Sequence, residues 1–251
     1  MSRCPGGDGP GYGHFPGLAQ GGLVHGVFGR RGGSSIAPYH TLNVSFGVGD
    51  DPALVQSNRI LLKKALGLTT LVSARQVHGD RVLAITAEPA SDFEADGYDA
   101  LITNCRIGLM IQQADCQAVI IHDPDTPALG MIHAGWRGSV AGIIGTTVRA
   151  MTTTFGTDPA RLRAAISPAL GECCAEFVNF HQELPLWMHA FQVHLNHFDF
   201  PAISVRQLTE AGLRPERISR SGLCTRCNPD YFSYRRDRVT GRGATVAALV
   251  G

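Results

Sequence analysis

The order of elements in this 251-residue chain predicts one mixed α/β domain. Two observations carry that expectation. Brief β-branched segments separated by turn residues recur between residues 71 and 132, and stretches with apolar residues at helical spacing flank them. No internal repeat or mid-chain linker divides the chain, so one domain accommodates the whole order. Such a chain is long enough to bury a core without disulfide staples.

The elements follow in order. Residues 1–20 are rich in glycine and proline without apolar periodicity, and read as a flexible tail ahead of a domain spanning 21–251. Residues 23–28 form an apolar strand, and 30–35 a glycine-rich turn. Asp51 before Pro52 sets a capping carboxylate ahead of proline at the first helical position. Leu54, Asn58, Leu61 and Ala65 then recur at helical spacing until Gly67. Segments 71–74, 82–86, 100–103, 109–112, 118–122 and 128–132 read as strands. Val140, Ile144, Val148, Met151 and Phe155 share one helix face, which ends at Gly156. A strand at 164–167, helices at 176–191 and 201–211 (the second closed by Gly212) and strands at 218–223 and 245–250 complete the chain.

Composition narrows the function classes. Lys+Arg is 22 and Asp+Glu is 21, a formal net charge of +1, which argues against a nucleic-acid binder or a membrane-surface protein. No apolar run is long enough to span a bilayer, and the first residues lack the apolar region of a secretory signal. Seven cysteines, an odd number, read as free thiols or metal ligands in a reducing cytoplasm rather than as a disulfide framework. Nothing in the sequence fixes an oligomeric state.

Three segments carry the chemistry. Gln76-Val77-His78-Gly79 follows a strand, Ala114-Asp115-Cys116 joins two strands, and His133-Ala134-Gly135-Trp136-Arg137-Gly138 joins a strand to a helix. Two imidazoles and one thiolate at strand ends make a three-ligand zinc set with a fourth position left open, the arrangement of a catalytic zinc. The metal would keep Cys116 ionised and acidify a bound water. Spacing alone leaves a second reading open, in which each histidine satisfies local hydrogen bonds and Cys116 is a small buried hydrophobe.

Longer blocks extend these segments. QVHG, ADGYDALITN (95–104), GLMIQQADC (108–116), GMIHAGWRGSVAGI (130–143), YFSYRRDRVTGR (231–242) and GRRGGSSIAPYHTLNVSFGVGDDPALVQSNR (29–59) stand in one order over almost the whole chain. In these blocks the sequence resembles the laccase-domain, or YfiH-type, proteins. The resemblance implies an α+β fold with mixed β-sheets layered between helices, an α/β/β/α-like stack. It implies a zinc-dependent purine nucleoside enzyme, one that phosphorolyses adenosine, inosine and methylthioadenosine and deaminates adenosine. An older family label is copper polyphenol oxidase, or laccase. The family's His, Cys and His metal triad falls on His78, Cys116 and His133. Asn43-Val44-Ser45-Phe46 departs from the family pattern, where glycine often follows Asn-Leu/Val.

The oxidase alternative meets an obstacle in the histidines. A multicopper site needs many imidazoles, commonly as His-x-His pairs, and none of the ten histidines are two apart. Copper(II) still competes for such ligands, so Cu2+ remains possible at the triad. Two further alternatives are a cysteine hydrolase, with Cys116 as nucleophile and His133 or His78 as base, and a metal-binding module without turnover.

Other candidates complete the set. Asp115 beside Cys116 is either a general acid/base or a turn residue. Arg137, flanked by glycines ahead of a helix, is either a phosphate ligand or a solvated side chain. Arg235 and Arg236 could close on an anionic or purine ligand, or form a surface pair. Asn43 and Arg59 could line the pocket, or cap a helix and pair at the surface. Trp136 could stack on a base or belong to the core. His194 and His197 read as solvated. Cys224-x-x-Cys227 is half of a zinc knuckle, Cys173-Cys174 is the pair that could complete it, and the sequence alone does not call for a second metal there.

Overall fold

The computed structural model describes residues 1–4, 9–18 and 22–250. Its first half contains β1 (Ser2–Cys4), β2 (Tyr12–His14), β3 (Leu23–Phe28), α1 (Pro52–Leu66), β4 (Leu71–Arg75), β5 (Val82–Ile85), β6 (Phe93–Asp96), β7 (Ala100–Thr103), β8 (Gly108–Gln113), β9 (Gln117–Asp123) and β10 (Ala128–Ala134). Its second half contains α2 (Trp136–Ala141), α3 (Ile143–Phe155), β11 (Arg163–Ile166), α4 (Phe180–Glu183), β12 (Gln192–His194), β13 (His197–Phe198), α5 (Phe200–Glu210), β14 (Ile218–Arg220), α6 (Tyr234–Asp237) and β15 (Gly243–Leu249).

Every residue of β8, β9 and β10 is buried, so these strands read as continuous apolar runs rather than alternating ones. Their side chains still alternate between two cores. Leu109 and Ile111 of β8 meet Ile120, Leu129 and Met131 in a central core. Met110, between them, points the other way against Leu62 and Leu66 of α1. Val119, Ile121 and Ile132 face Ile144, Val148 and Met151 of α3. The result is four layers: α1, a seven-stranded sheet, a six-stranded sheet, and α3 with α5. The sheets run β1-β2-β3-β15-β8-β4-β6 and β14-β11-β9-β10-β7-β5. Each is mixed. β4 lies parallel to β8 and β6 in the first, and β5 parallel to β7 in the second, while the central pairs are antiparallel. β8 and β9 are consecutive in sequence yet belong to different sheets, so the 114–116 turn crosses from one layer to the other.

Local chemistry explains where several elements begin and end. The Asp51 carboxylate accepts from Ala53 N at 2.8 Å to open α1, and Gly67 (φ 68°) closes it in the left-handed region. Gly142 (φ 81°) breaks the helix expected at 140–155 into α2 and α3. Among the described residues no helix is long and apolar enough to cross a membrane.

Three expectations are corrected. Part of the expected tail is ordered: β2 pairs with β3, and Phe15 and Leu18 are buried in the central core. Residues 5–8 and 19–20 of that segment lie outside the described ones. The helix expected at 176–191 is only a short α4 and a 3-10 turn at Leu186–Phe191. Pro185 is extended there and disfavours helix at the residue before it, and the apolar side chains instead form a local cluster with Phe198 and Phe200. The strand expected at 218–223 stops at Arg220.

His25 and His122 are buried, and burial foremost pushes both pKa values down to about 4. Phe15 N donates to His25 Nε2 at 2.8 Å, while neither ring nitrogen of His122 has a partner among the described residues. As the pH falls through 6.5 the unfolded chain takes up protons that the folded chain refuses until about 4. Stability is therefore expected to decline between those limits and to level off below. Urea unfolding across that range checks this, and His122→Leu, which removes one of the two rings, is expected to make the slope shallower.

Candidate functional site

Three strand ends converge where the sheets meet. His78 sits just beyond β4, with a left-handed φ of 63°. Cys116 lies in the crossing turn between β8 and β9, next to Asp115 at φ 91°. His133 is the penultimate residue of β10, held opposite Ala118 of β9. The donor atoms of the three side chains all lie within 4.8 Å of one another. Cys116 Sγ is 3.9 Å from His78 Nε2, and the imidazoles meet edge to face with centroids 4.8 Å apart.

The strained His78 turn is held by Asp99, a fully buried residue just before β7. Its Oδ1 accepts from His78 N at 2.8 Å, and its Oδ2 from Gly79 N at 2.8 Å and Val77 N at 3.2 Å. Oδ1 also meets His133 Nδ1 at 2.8 Å. That contact assigns the Nδ1 proton and leaves Nε2 free for the site, as carboxylates behind metal-ligating histidines do. Burial alone would raise the Asp99 pKa, but the His133 bond and the backbone donors hold it below the usual carboxylate range. Burial likewise opposes ionisation of Cys116, yet His133 and His78 bring its thiol down to about 6. His133 shows the mirror effect, since burial lowers it while Cys116 and Asp99 lift it to about 9. A nearly formed thiolate beside two imidazoles, one with its tautomer fixed, is a donor set that fits a borderline-soft dication.

The triad opens onto a cavity of about 920 Å³. Trp136, Phe177, Phe200 and Tyr234 give it an aromatic wall. Arg75, Arg235, Arg238 and Arg242 bring guanidinium groups. Arg75 is tied to the Asp96 carboxylate at 2.7 and 2.9 Å. By contrast, among the described residues the side-chain hydrogen bonds of Arg235 and Arg242 go only to carbonyls, those of Glu176, Thr240 and Gly241. Burial lowers the pKa of Arg242, against the opposing pull of Cys116 and Asp115. Asp115 faces the same space, its carboxylate accepting from Thr225 Oγ1 and Arg235 N at 2.6 Å each.

Of the residues singled out in the sequence, His78, Cys116, His133, Asp115 and Arg235 come together here, and Trp136 lines the cavity. Four do not line it. Arg137 is exposed with its guanidinium 4.3 Å over the Trp136 ring, because α2 turns its side chain away from the cavity. Asn43 is buried as a loop tie, accepting from Ser45 N and Arg242 N and donating to Asp50. Arg59 is buried over Phe46 and ion-paired to Glu94, so it supports a lining residue instead of being one. Arg236 is committed to Asp237 and to the carbonyls of Thr225 and Tyr231. Asp99 and Arg242 escaped the sequence reading although both lie in the quoted blocks. The available signal was a charged residue at the edge of a strand with no neighbouring partner.

A protein-family model described as "Multi-copper polyphenol oxidoreductase laccase" matches residues 24–250, and the chain belongs to that family. A purine nucleoside phosphorylase of Streptomyces coelicolor is 38% identical over 222 residues, covering 85% of this chain and 90% of its own length. The purine nucleoside phosphorylase YlmD of Geobacillus stearothermophilus is 33% identical, covering 92% and 90%. The crystal structure of YlmD from that organism superposes with a TM-score of 0.86 at 30% identity, covering 97% of each chain. That of the hypothetical protein YfiH of Bacillus licheniformis gives 0.83 at 30% identity, covering 90% and 92%.

Gly135 offers a direct probe of the site. Its φ of −77° suits any residue, but an added Cβ would lie 2.9 Å from His78 Cδ2 and 3.1 Å from Cys116 Sγ. Gly135→Ala is expected to leave the fold intact by circular dichroism while spreading the triad. Crystallography of the variant, or its zinc affinity against a chelator, checks this.

Proposed function

We propose that the chain is a zinc-dependent purine nucleoside phosphorylase that accepts adenosine, inosine and methylthioadenosine and also deaminates adenosine. The observation that carries this reading is the composition of the cavity. An N/S/N donor triad, an aromatic wall, three guanidinium groups (Arg235, Arg238 and Arg242) without carboxylate partners among the described residues, and a fixed carboxylate all face one space. The names of the relatives support the nucleoside and phosphate substrates.

In phosphorolysis a phosphate oxygen attacks C1′ of the ribose, the bond to the purine nitrogen breaks, and the base leaves with a proton as ribose 1-phosphate forms. Positioning and anion binding do most of this work. Arg235 and Arg242 hold the phosphate, in place of the 135–138 loop suggested by sequence. Trp136, Phe177 and Tyr234 hold the base by stacking, which excludes water from one side. Asp115 moves the proton at its carboxylate, which Thr225 and the backbone N–H of Arg235 keep aimed at the cavity. His78, Cys116 and His133 would hold the zinc, which supplies Lewis acidity when bound.

The donor inventory supports one metal at the catalytic centre over a multicopper oxidase. Among the described residues the other cluster of metal-donor side chains consists of cysteines, and no further histidine group adjoins the triad.

Assays of purified protein with each nucleoside plus phosphate, and with a phenol under oxygen, test the assignment directly. Cys116→Ser is expected to lose the metal of the His78–Cys116–His133 triad and nucleoside turnover with the fold retained. Full activity in metal-free protein would remove zinc from the mechanism. Arg242→Ala removes a charge-assisted contact worth about 1.5–3 kcal/mol, so the KM for phosphate is expected to rise roughly tenfold or more. Deamination of adenosine, which consumes water instead of phosphate, is expected to fall much less, and Arg137→Ala is expected to change neither. Equal loss of both activities in Arg242→Ala would mean that this residue holds the nucleoside or the loop.

A further inference from the structure

A second group of donors lies outside the triad. Cys173 and Cys174 follow Gly171, Cys224 and Cys227 lie in the turn after β14, and the four Sγ atoms all fall within 4.8 Å of one another. Cys227 Sγ is 3.5 Å from Cys174 Sγ and 3.7 Å from Cys173 Sγ. A tetrahedral zinc with Zn–S bonds of about 2.3 Å needs sulfur–sulfur edges of about 3.8 Å. A disulfide would select one partner for Cys227, whereas here two stand almost equally near.

The surroundings are those of a thiolate cluster. Arg226 Nη1 lies 3.3 Å from Cys174 Sγ, placing a cation where four thiolates around one dication leave excess negative charge. Gly171 leaves room for the sulfurs, since a Cβ there would stand 3.0 Å from Cys224 Cβ and 3.5 Å from both the Cys173 and Cys224 Sγ atoms.

We propose that Cys173, Cys174, Cys224 and Cys227 bind a structural zinc ion, separate from the His78–Cys116–His133 triad, that fixes one wall of the cavity. Four protein ligands close the coordination sphere, which marks a structural site. The two turns it joins are also sewn by Thr225 N to Ala169 O at 2.9 Å and Ala169 N to Leu223 O at 3.3 Å. Thr225, between the two cysteines of the knuckle, donates its hydroxyl to Asp115, and Leu170 N donates to Asp115 O at 2.8 Å. The zinc thus acts as a staple for the loop pair that orients Asp115.

The test is metal stoichiometry by native mass spectrometry on the full chain, combined with cobalt substitution. Cys116→Ser removes the thiolate of the triad, so thiolate-to-cobalt charge-transfer absorption remaining in that variant belongs to the cysteine cluster. The expected result is one tightly held zinc equivalent in Cys116→Ser, an intense tetrahedral cobalt spectrum, and loss of both in the added Cys224→Ser/Cys227→Ser background. If the multiple variant does not fold, the unmodified protein decides the matter through thiol reactivity. The four cysteines are expected to resist a disulfide reagent until a strong chelator is added. Metal-free Cys116→Ser protein, four freely reactive thiols, or an intact mass lowered by the hydrogens lost to disulfides would each overturn the proposal. Failure of the triad to bind zinc would appear separately, as a wild-type stoichiometry unchanged by Cys116→Ser.

Discussion

The buried carboxylate of Asp99 holds the site together. It accepts three backbone N–H groups from the 77–79 turn and a ring nitrogen of His133, so one side chain sets the positions of two of the three converging donors. A buried carboxylate is costly unless each lone pair finds a donor, and here the donors are the atoms that must be positioned. The same bonds keep His78 in the left-handed region, where a residue other than glycine rests only when its surroundings dictate it.

The third donor depends on sheet topology. Cys116 lies in the turn by which the chain leaves one sheet and enters the other, between two strands buried along their whole length. Displacing that turn would disturb both cores at once, so the thiol is as rigid as the layers on either side. Asp115, in the same turn, gains a second constraint from the far end of the chain, through Thr225 and the backbone of Arg235. The cavity is therefore closed by segments more than a hundred residues apart in sequence.

Segments with strong local signals agree between sequence and structure. Asp51-Pro52 and Gly67 bound α1, and the central strands stand where β-branched runs stood. Two kinds of segment did not follow their local pattern. At 176–191 the apolar spacing is helical, yet Pro185 and the aromatic cluster around Phe198 and Phe200 take those side chains into a separate small core. Near the N-terminus, Phe15 and Leu18 have no periodic neighbours to announce them, and they are buried because β3 provides an edge for β2 to join. Arg137 and Arg242 show the same limit at the site. Both lie in glycine-containing segments, but only the direction of the backbone assigns one to a Trp136 face and the other to the cavity.

The sequence by itself determined the mixed α/β class, the boundaries that caps and glycines enforce, and the three residue types, two imidazoles and a thiol, on which the candidate metal chemistry rests. Those features are written in contacts between near neighbours along the chain. The tertiary structure decided which arginines face the substrate space, that Asp99 holds the two histidines, and that Cys173 and Cys174 stand beside Cys224 and Cys227. Each of these is a relation between residues far apart in sequence. It exists only once the two sheets have stacked, because packing and not local propensity sets the direction of each side chain.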